Sequence, residues 1–207
     1  MKKSDIQFDE VFTAFYPRVL AYVGRLVGAQ DAEDVAQEAF LKISKGLRYF
    51  RGQSELSTWV YRIATNAALD RLRRDARRSL NEGDLSVPLK ENFVGEDVAE
   101  DLLKAEAPLN PEQQAIRREM NACVRSIIDG LPPAHRAALV LSDLEGLTNK
   151  EIAGVLGVTV ETVKIRLHRA RSRLKQELED RCTFYRDERN ELACDRKVPI
   201  LDPGQKQ

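Results

Sequence analysis

The stretch TNKEIAGVLGVTVETVKIRLHRARSRLK, Thr148 to Lys175, is compatible with few folds. Thr148 followed three residues later by Glu151 is a capping box. The hydroxyl accepts from an amide of the first turn while the carboxylate reaches back to the cap, so the pattern predicts a helix from Asn149. Ile152, Ala153 and Leu156 supply one apolar stripe, and Gly157 can adopt the left-handed conformation that ends the helix. Thr159 then caps a second helix after the turn Gly157-Val158-Thr159. Two helices joined so tightly form a helix-turn-helix, whose second helix can lie in the major groove of DNA.

At about 100° per residue, the second helix sorts into faces. Val163, Leu167, Ala170 and Leu174 fall together and are expected to pack inward. Glu161, Lys164, Ile165, His168, Arg169 and Ser172 centre on the opposite side. Residues 160–175 hold six basic side chains (Lys164, Arg166, Arg169, Arg171, Arg173, Lys175) against one acid, Glu161. A charge run alone can be a solvated face. The capped helix and glycine turn before it favour a surface that contacts DNA.

A length of 207 residues allows one or two domains, and 43% apolar with 32% charged and only 6% aromatic residues fits a soluble helical protein. No apolar run is long enough to cross a bilayer and the Met1-Lys2-Lys3 start carries no signal peptide, so the expected location is cytoplasmic with no membrane insertion. The net charge of +0 conceals a pattern. Residues 1–78 carry 14 basic and 10 acidic side chains, 79–111 carry 2 and 8, 112–181 carry 12 and 10, and the tail balances 5 against 5. Local charge sets the field at a contact surface, so two mildly basic segments around an acidic connector remain compatible with nucleic-acid binding.

Helical periodicity runs along most of the chain, giving an all-α expectation. Phe8, Val11, Phe12 and Phe15 share a face until Pro17, where the helix is expected to kink or restart. Asp31 is expected to cap the next helix, with Val35, Ala36, Ala39, Phe40 and Ile43 as its apolar face. Ser57 is expected to open a long helix through Trp59, Ile63 and Ala67, ending in the basic cluster Arg71, Arg73, Arg74, Arg77 and Arg78. Residues 79–110 lose periodicity and read as a flexible acidic linker, with a short helix over Asp97–Ala105 allowed by spacing. Asn110-Pro111 then caps a helix reaching Asp129, and Leu131-Pro132-Pro133 begins another, to about Leu144.

Three segments in this order resemble the extracytoplasmic-function sigma factors of bacterial RNA polymerase. They are DAEDVAQEAFLKI (Asp31–Ile43), STWVYRIATNAALDRLRR (Ser57–Arg74) and LPPAHRAALVLSDLEGLTNKEIAGVLGVTVETVKIRLHRARSRL (Leu131–Leu174). The resemblance implies two small helical domains: 1–78, which binds core polymerase and recognises and melts the −10 element, and 111–181, which reads the −35 element. The linker is 79–110 and a carboxy-terminal extension is 182–207. By position, Asp31, Glu33, Asp34, Gln37 and Glu38 would face polymerase, though acids also favour a helix amino terminus through its dipole. Tyr49, Phe50, Arg51, Trp59, Arg62, Asn66, Arg73 and Arg74 would serve the −10 element, where melting requires stacking, amide and cationic groups around an unstacked base. Trp59, on an apolar helix face, also suits a core. Lys164, Ile165, Arg166, His168, Arg169 and Arg171 would meet the −35 element. The implied partners are core RNA polymerase, promoter DNA and an anti-sigma factor, with no catalysis and no cofactor.

The tail after Arg181 departs from the family pattern as a charged piece for which a helix is one expectation. Cys182 and Cys194 within it could be a redox-responsive pair, zinc ligands, or residues of a bland docking segment; zinc normally needs more ligands at tighter spacing. Two other functions compete with the sigma reading. A helix-turn-helix regulator that does not bind polymerase would need a sensor pocket or dimer helix in 1–78. A di-metal helical-bundle enzyme would need Glu-x-x-His pairs, and no histidine precedes His135.

Overall fold

The computed structural model describes residues 6–81, 111–186, 190 and 192–197. The expected linker from residue 82 onward, the helix over Asp97–Ala105 and the cap at Asn110 lie outside these residues. In chain order the elements are α1 (Phe8–Val27), α2 (Ala29–Leu47), α3 (Leu56–Asn81), α4 (Pro111–Asp129), α5 (Pro133–Asp143), α6 (Asn149–Leu156), α7 (Val160–Arg181), β1 (Cys182–Arg186) and β2 (Leu192–Arg196).

Among the described residues, 6–81 and 129–170 form one compact unit; 111–128 and those from 171 onward form another. In the first, α1, α2 and α3 pack on one another, and α5 and α6 lie against α1 and α3. Its core contains Val19, Tyr22, Val23, Leu26, Ile43 and Val60, all fully buried, and runs on into Leu141, Ile152 and Val163. Two tyrosines, Tyr22 and Tyr61, sit inside it with ring centroids 5.3 Å apart, edge to face. The Tyr22 hydroxyl pairs with Thr65 Oγ1 at 2.8 Å, which satisfies a polar group in an apolar interior. Burial pushes the Tyr22 hydroxyl well above the ordinary phenol range.

Three local expectations are corrected. α1 continues through Pro17 instead of restarting there. Pro17 and Thr13, whose carbonyl loses its partner, are both exposed, so water can take the missing bond. Asp31 does not cap α2. The chain turns at Gly28 with φ 87° and ψ 164°, a region that side-chain-bearing residues essentially do not enter, and α2 starts at once. Asp31 falls in the first turn, buried, with a carboxylate oxygen 2.8 Å from Arg71 Nη2. After α7 the described residues of the tail are not helical: β1 and β2 pair antiparallel, with Cys182 opposite Arg196 and Phe184 opposite Cys194.

The second unit is smaller. Cys123 and Ile127 of α4, Leu174 and Leu178 of α7, Cys182 and Cys194 form its apolar cluster.

Candidate nucleic-acid interface

The helix-turn-helix is built as its sequence requires. Thr148 N–H donates to Glu151 Oε2 at 2.8 Å and Glu151 N–H to Thr148 Oγ1 at 3.3 Å. Donation to the carboxylate favours its ionised form, so the Thr148 bonds hold the Glu151 carboxyl below its ordinary value. Gly157 is left-handed at φ 64°, and Val158 N–H reaches back to Ala153 O at 3.1 Å, closing a Schellman turn. Thr159 Oγ1 then accepts from Thr162 N–H at 3.2 Å and opens α7.

On α7, Val163, Leu167 and Ala170 are buried, whereas Lys164, Ile165, His168, Arg169 and Arg171 are exposed and Arg166 is half-buried. Ile165 is an apolar side chain left 51% exposed among cations, suited to a base edge such as the thymine methyl. The helix divides electrostatically. Arg173 and Lys175 lie 3.8 and 3.7 Å from Glu177 and Glu179, and Arg181 lies 2.8 Å from Glu177. Among the described residues Lys164, Arg166 and Arg169 have no such carboxylate. The unneutralised charge of these three is thus confined to the turns that follow the glycine. His135 on α5 feels it: burial, then the charges of Arg166 and Arg169, hold its imidazole below the ordinary value.

The first helices carry the other candidate residues. On α2, Glu33, Asp34 and Gln37 are exposed and Glu38 is half-buried, bonded to Lys42 at 2.8 Å and Arg74 at 3.2 Å. The bond from Lys42 is the main cause of a lowered Glu38 pKa. Asp31 stands apart from this row, engaged with Arg71.

The loop between α2 and α3 presents Tyr49, 68% exposed with the Arg48 guanidinium 4.6 Å over its ring, and exposed Arg51. Phe50 and Trp59 instead face each other at 5.2 Å. Trp59 also covers Gly46, where a Cβ would lie 3.1 Å from its ring, so the pair anchors the loop to α2. Asn66 is exposed. Arg73 pairs with Asp70 at 2.5 Å and Arg74 with Glu38 at 3.2 Å; both arginines are mostly exposed. Exposed pairs contribute about 0–1 kcal/mol, little enough for a phosphate to displace them.

Arg62 Nε donates to Gly154 O of α6 at 2.7 Å, and Tyr61 donates to Glu145. Sequence reading missed Glu145, whose carboxylate also lies 3.5 Å from Arg18 and from Arg25. It missed Arg136 as well, which donates to Leu26 O at 2.9 Å and to Asp129 O. Burial is the main influence lowering the Arg136 pKa. Most of these contacts join residues about a hundred positions apart, and no local pattern marks them. Cys182 has a thiol neighbour in Cys123, at 3.7 Å, as well as Cys194 across the hairpin.

Residues 11–78 match the Sigma-70 region 2 family and residues 121–174 match Sigma-70 region 4. The RNA polymerase sigma-H factor of Pseudomonas aeruginosa is 37% identical over 173 residues, spanning 83% of this chain and 86% of that protein. The ECF RNA polymerase sigma-E factor of Escherichia coli K12 is 33% identical over 172 residues, again 83% of this chain and 86% of the relative. The chain belongs to the extracytoplasmic-function sigma factors. The solved structure of sigma factor RpoE in complex with the anti-sigma factor NepR, from Bartonella quintana, shares its fold with a TM-score of 0.60 at 20% identity, over 83% of this chain and 96% of that one. The sigma factor is therefore a promoter-specificity subunit of RNA polymerase. No helix among its described residues is long and apolar enough to cross a membrane.

Proposed function

We propose that the sigma factor reads the −35 element with Lys164, Ile165, Arg166, His168, Arg169 and Arg171, and docks on core polymerase through Glu33, Asp34, Gln37 and Glu38. The −35 assignment is carried by one observation: Lys164, Arg166 and Arg169, without carboxylate partners among the described residues, follow directly on a doubly capped helix-turn-helix. Phosphates offer such cations what the chain withholds, and counterion release follows. Domain limits of 1–78, 79–110 and 111–181, with an extension at 182–207, are part of this reading. So does a role with no catalysis of its own.

The −10 element is met by Tyr49, Arg51, Asn66, Arg73 and Arg74, with Phe50 and Trp59 holding the loop that carries Tyr49. Arg62 joins this set when α6 leaves α3, since its guanidinium is engaged by Gly154 O while the two helices are packed. Promoter opening then includes separation of α6 from α3. The solved relative was captured with an anti-sigma factor, and a partner that holds these helices in place would act as one here.

Transcription from a promoter library with purified core polymerase and this chain tests the reading. Selection of promoters sharing two elements, lost with Arg169→Ala while polymerase binding persists, is the expected result. An inability to bind core polymerase would leave only a DNA-binding regulator and defeat the proposal.

A further inference from the structure

The chain has three cysteines, 123, 182 and 194, and all three meet in the apolar cluster of the second unit. Cys123 lies on α4, and Cys182 follows α7 directly as the first residue of β1. Their sulfurs are 3.7 Å apart, in van der Waals contact, and the residues are 7% and 3% exposed. Cys194 is half-exposed and stands opposite Phe184, two positions from Cys182, so it shares the face of the hairpin that Cys182 uses. Buried cysteines are often no more than small apolar side chains. Chance filling of a core gives no reason for sulfur to touch sulfur while a third thiol connects the same cluster to solvent.

We propose that Cys123 and Cys182 are an oxidisable dithiol entered through Cys194, whose disulfide ties α4 to the end of α7. The oxidant is a peroxide. The Cys194 thiolate attacks one peroxide oxygen, the O–O bond breaks, and hydroxide leaves to take up the thiol proton as water; Cys194 becomes a sulfenic acid. The Cys182 sulfur then attacks the Cys194 sulfur, and the sulfenic oxygen departs as a second water with the Cys182 proton. Cys123 attacks Cys182, forms the Cys123–Cys182 bond and returns Cys194 as a thiol carrying the Cys123 proton. The sum is two thiols and hydrogen peroxide giving one disulfide and two waters. Bond formation brings the two sulfurs from 3.7 Å to about 2.05 Å.

The bridge closes a loop that contains α5, α6 and α7, the whole helix-turn-helix. Closing so long a loop restricts the unfolded chain more than the folded one, so the oxidised form resists heat better. A dithiol reductant reverses it, as any thiol switch in a reducing compartment requires.

The test uses the full-length chain, reduced, then exposed to hydrogen peroxide, alkylated and digested without reductant for mass spectrometry. The expected product is the Cys123–Cys182 linked peptide with Cys194 alkylated, reversed by dithiothreitol, and a melting temperature raised by about 5 °C. Cys194→Ser should give the same bridge at least ten times more slowly. Alkylation of Cys123 and Cys182 after peroxide, a bridge confined to Cys182 and Cys194, or linkage only between separate chains overturns the dithiol. An unchanged rate in Cys194→Ser overturns the entry route. The wild-type digest decides the first question even where a substituted chain folds poorly.

Discussion

The Tyr61 hydroxyl donates to Glu145, 84 positions along the chain, and this one carboxylate also faces Arg18 and Arg25. The Glu145 side chain is only 5% exposed, so its charge is balanced inside the protein and not by water. Burial and then the Glu145 bond push the Tyr61 hydroxyl well above its ordinary range. Glu145→Gln keeps the shape and removes the charge that balances two guanidinium groups. Urea denaturation should show a loss of about 1–3 kcal/mol. A loss within error of zero would mean the carboxylate is not integral to the packing of α3 against the α5–α6 turn.

α6 approaches α3 tightly at Gly154, where a Cβ would lie 3.1 Å from Thr58 Cγ2. Gly154→Ala gains helix propensity of about 1 kcal/mol but forces this contact apart. Thr58→Ser removes the obstructing methyl. A double-mutant cycle should therefore give a favourable coupling of at least about 0.5 kcal/mol. Strict additivity would show that the two helices are not in contact in solution.

Arg169 and Arg173 both lie on α7, yet only Arg173 has a carboxylate nearby, Glu177 at 3.8 Å. Arg169→Ala should weaken −35 DNA binding and reduce the slope of log K against log salt by about 0.9 for each phosphate left unneutralised. Arg173→Ala should leave that slope nearly unchanged. Equal slopes for the two variants, measured by fluorescence anisotropy, would contradict the electrostatic division of the helix.

The capping box supplies a pH dependence whose sign is fixed. Glu151 titrates below its ordinary value of 4.5 because Thr148 bonds to the carboxylate. A depressed carboxylate contributes stability that is present above the unfolded value and lost as the pH falls through the folded one. Glu151→Gln can still close a capping box but cannot titrate. Helix content of the variant, followed by circular dichroism from pH 5 downward, should lack part of the wild-type decline. Superimposable curves would assign the decline to other groups.

Gly157→Ala places a side chain at φ 64° with nothing near it to clash, so the cost is conformational alone. About 1–2 kcal/mol of stability should be lost, with promoter affinity reduced by the altered α7 entry angle. An unaffected melting curve would be incompatible with the left-handed turn.

Much of this was readable from spacing because capping, glycine turns and helical stripes are local. Thr148, Glu151, Gly157 and Thr159 behave as a short window dictates, and the wheel placed Val163, Leu167 and Ala170 inward correctly. Asp31 shows where local reasoning stops. An acid near a helix start has two uses, and the choice between cap and ion-pair partner was made by Gly28 before it and by Arg71, 40 residues away. For Trp59 the sequence leaves a core role and a −10 role open, and the contact that bears on the choice, its ring 5.2 Å from Phe50 across the loop, has no local pattern. The hairpin after α7 escaped notice because Thr183, Phe184 and Tyr185 are all exposed, which erases the alternation that marks a strand. Cys123 escaped because its counterpart lies 59 positions away.

His135 lies outside the face assigned to DNA, yet Arg166 and Arg169 oppose its protonation. On the proposed −35 reading, phosphates that neutralise those arginines would lift part of that opposition, the smaller part beside burial, and the imidazole would gain proton affinity. Binding should then take up a fraction of a proton, and −35 affinity should rise as solution acidifies toward and below the histidine's ordinary value of 6.5. Calorimetry in two buffers of unlike ionisation heat, compared between the wild type and His135→Gln, reads this uptake; identical heats in the wild type, or the same difference in both proteins, would exclude it. A side chain outside the assigned face would thus make occupancy of the −35 site sensitive to the acidity around it.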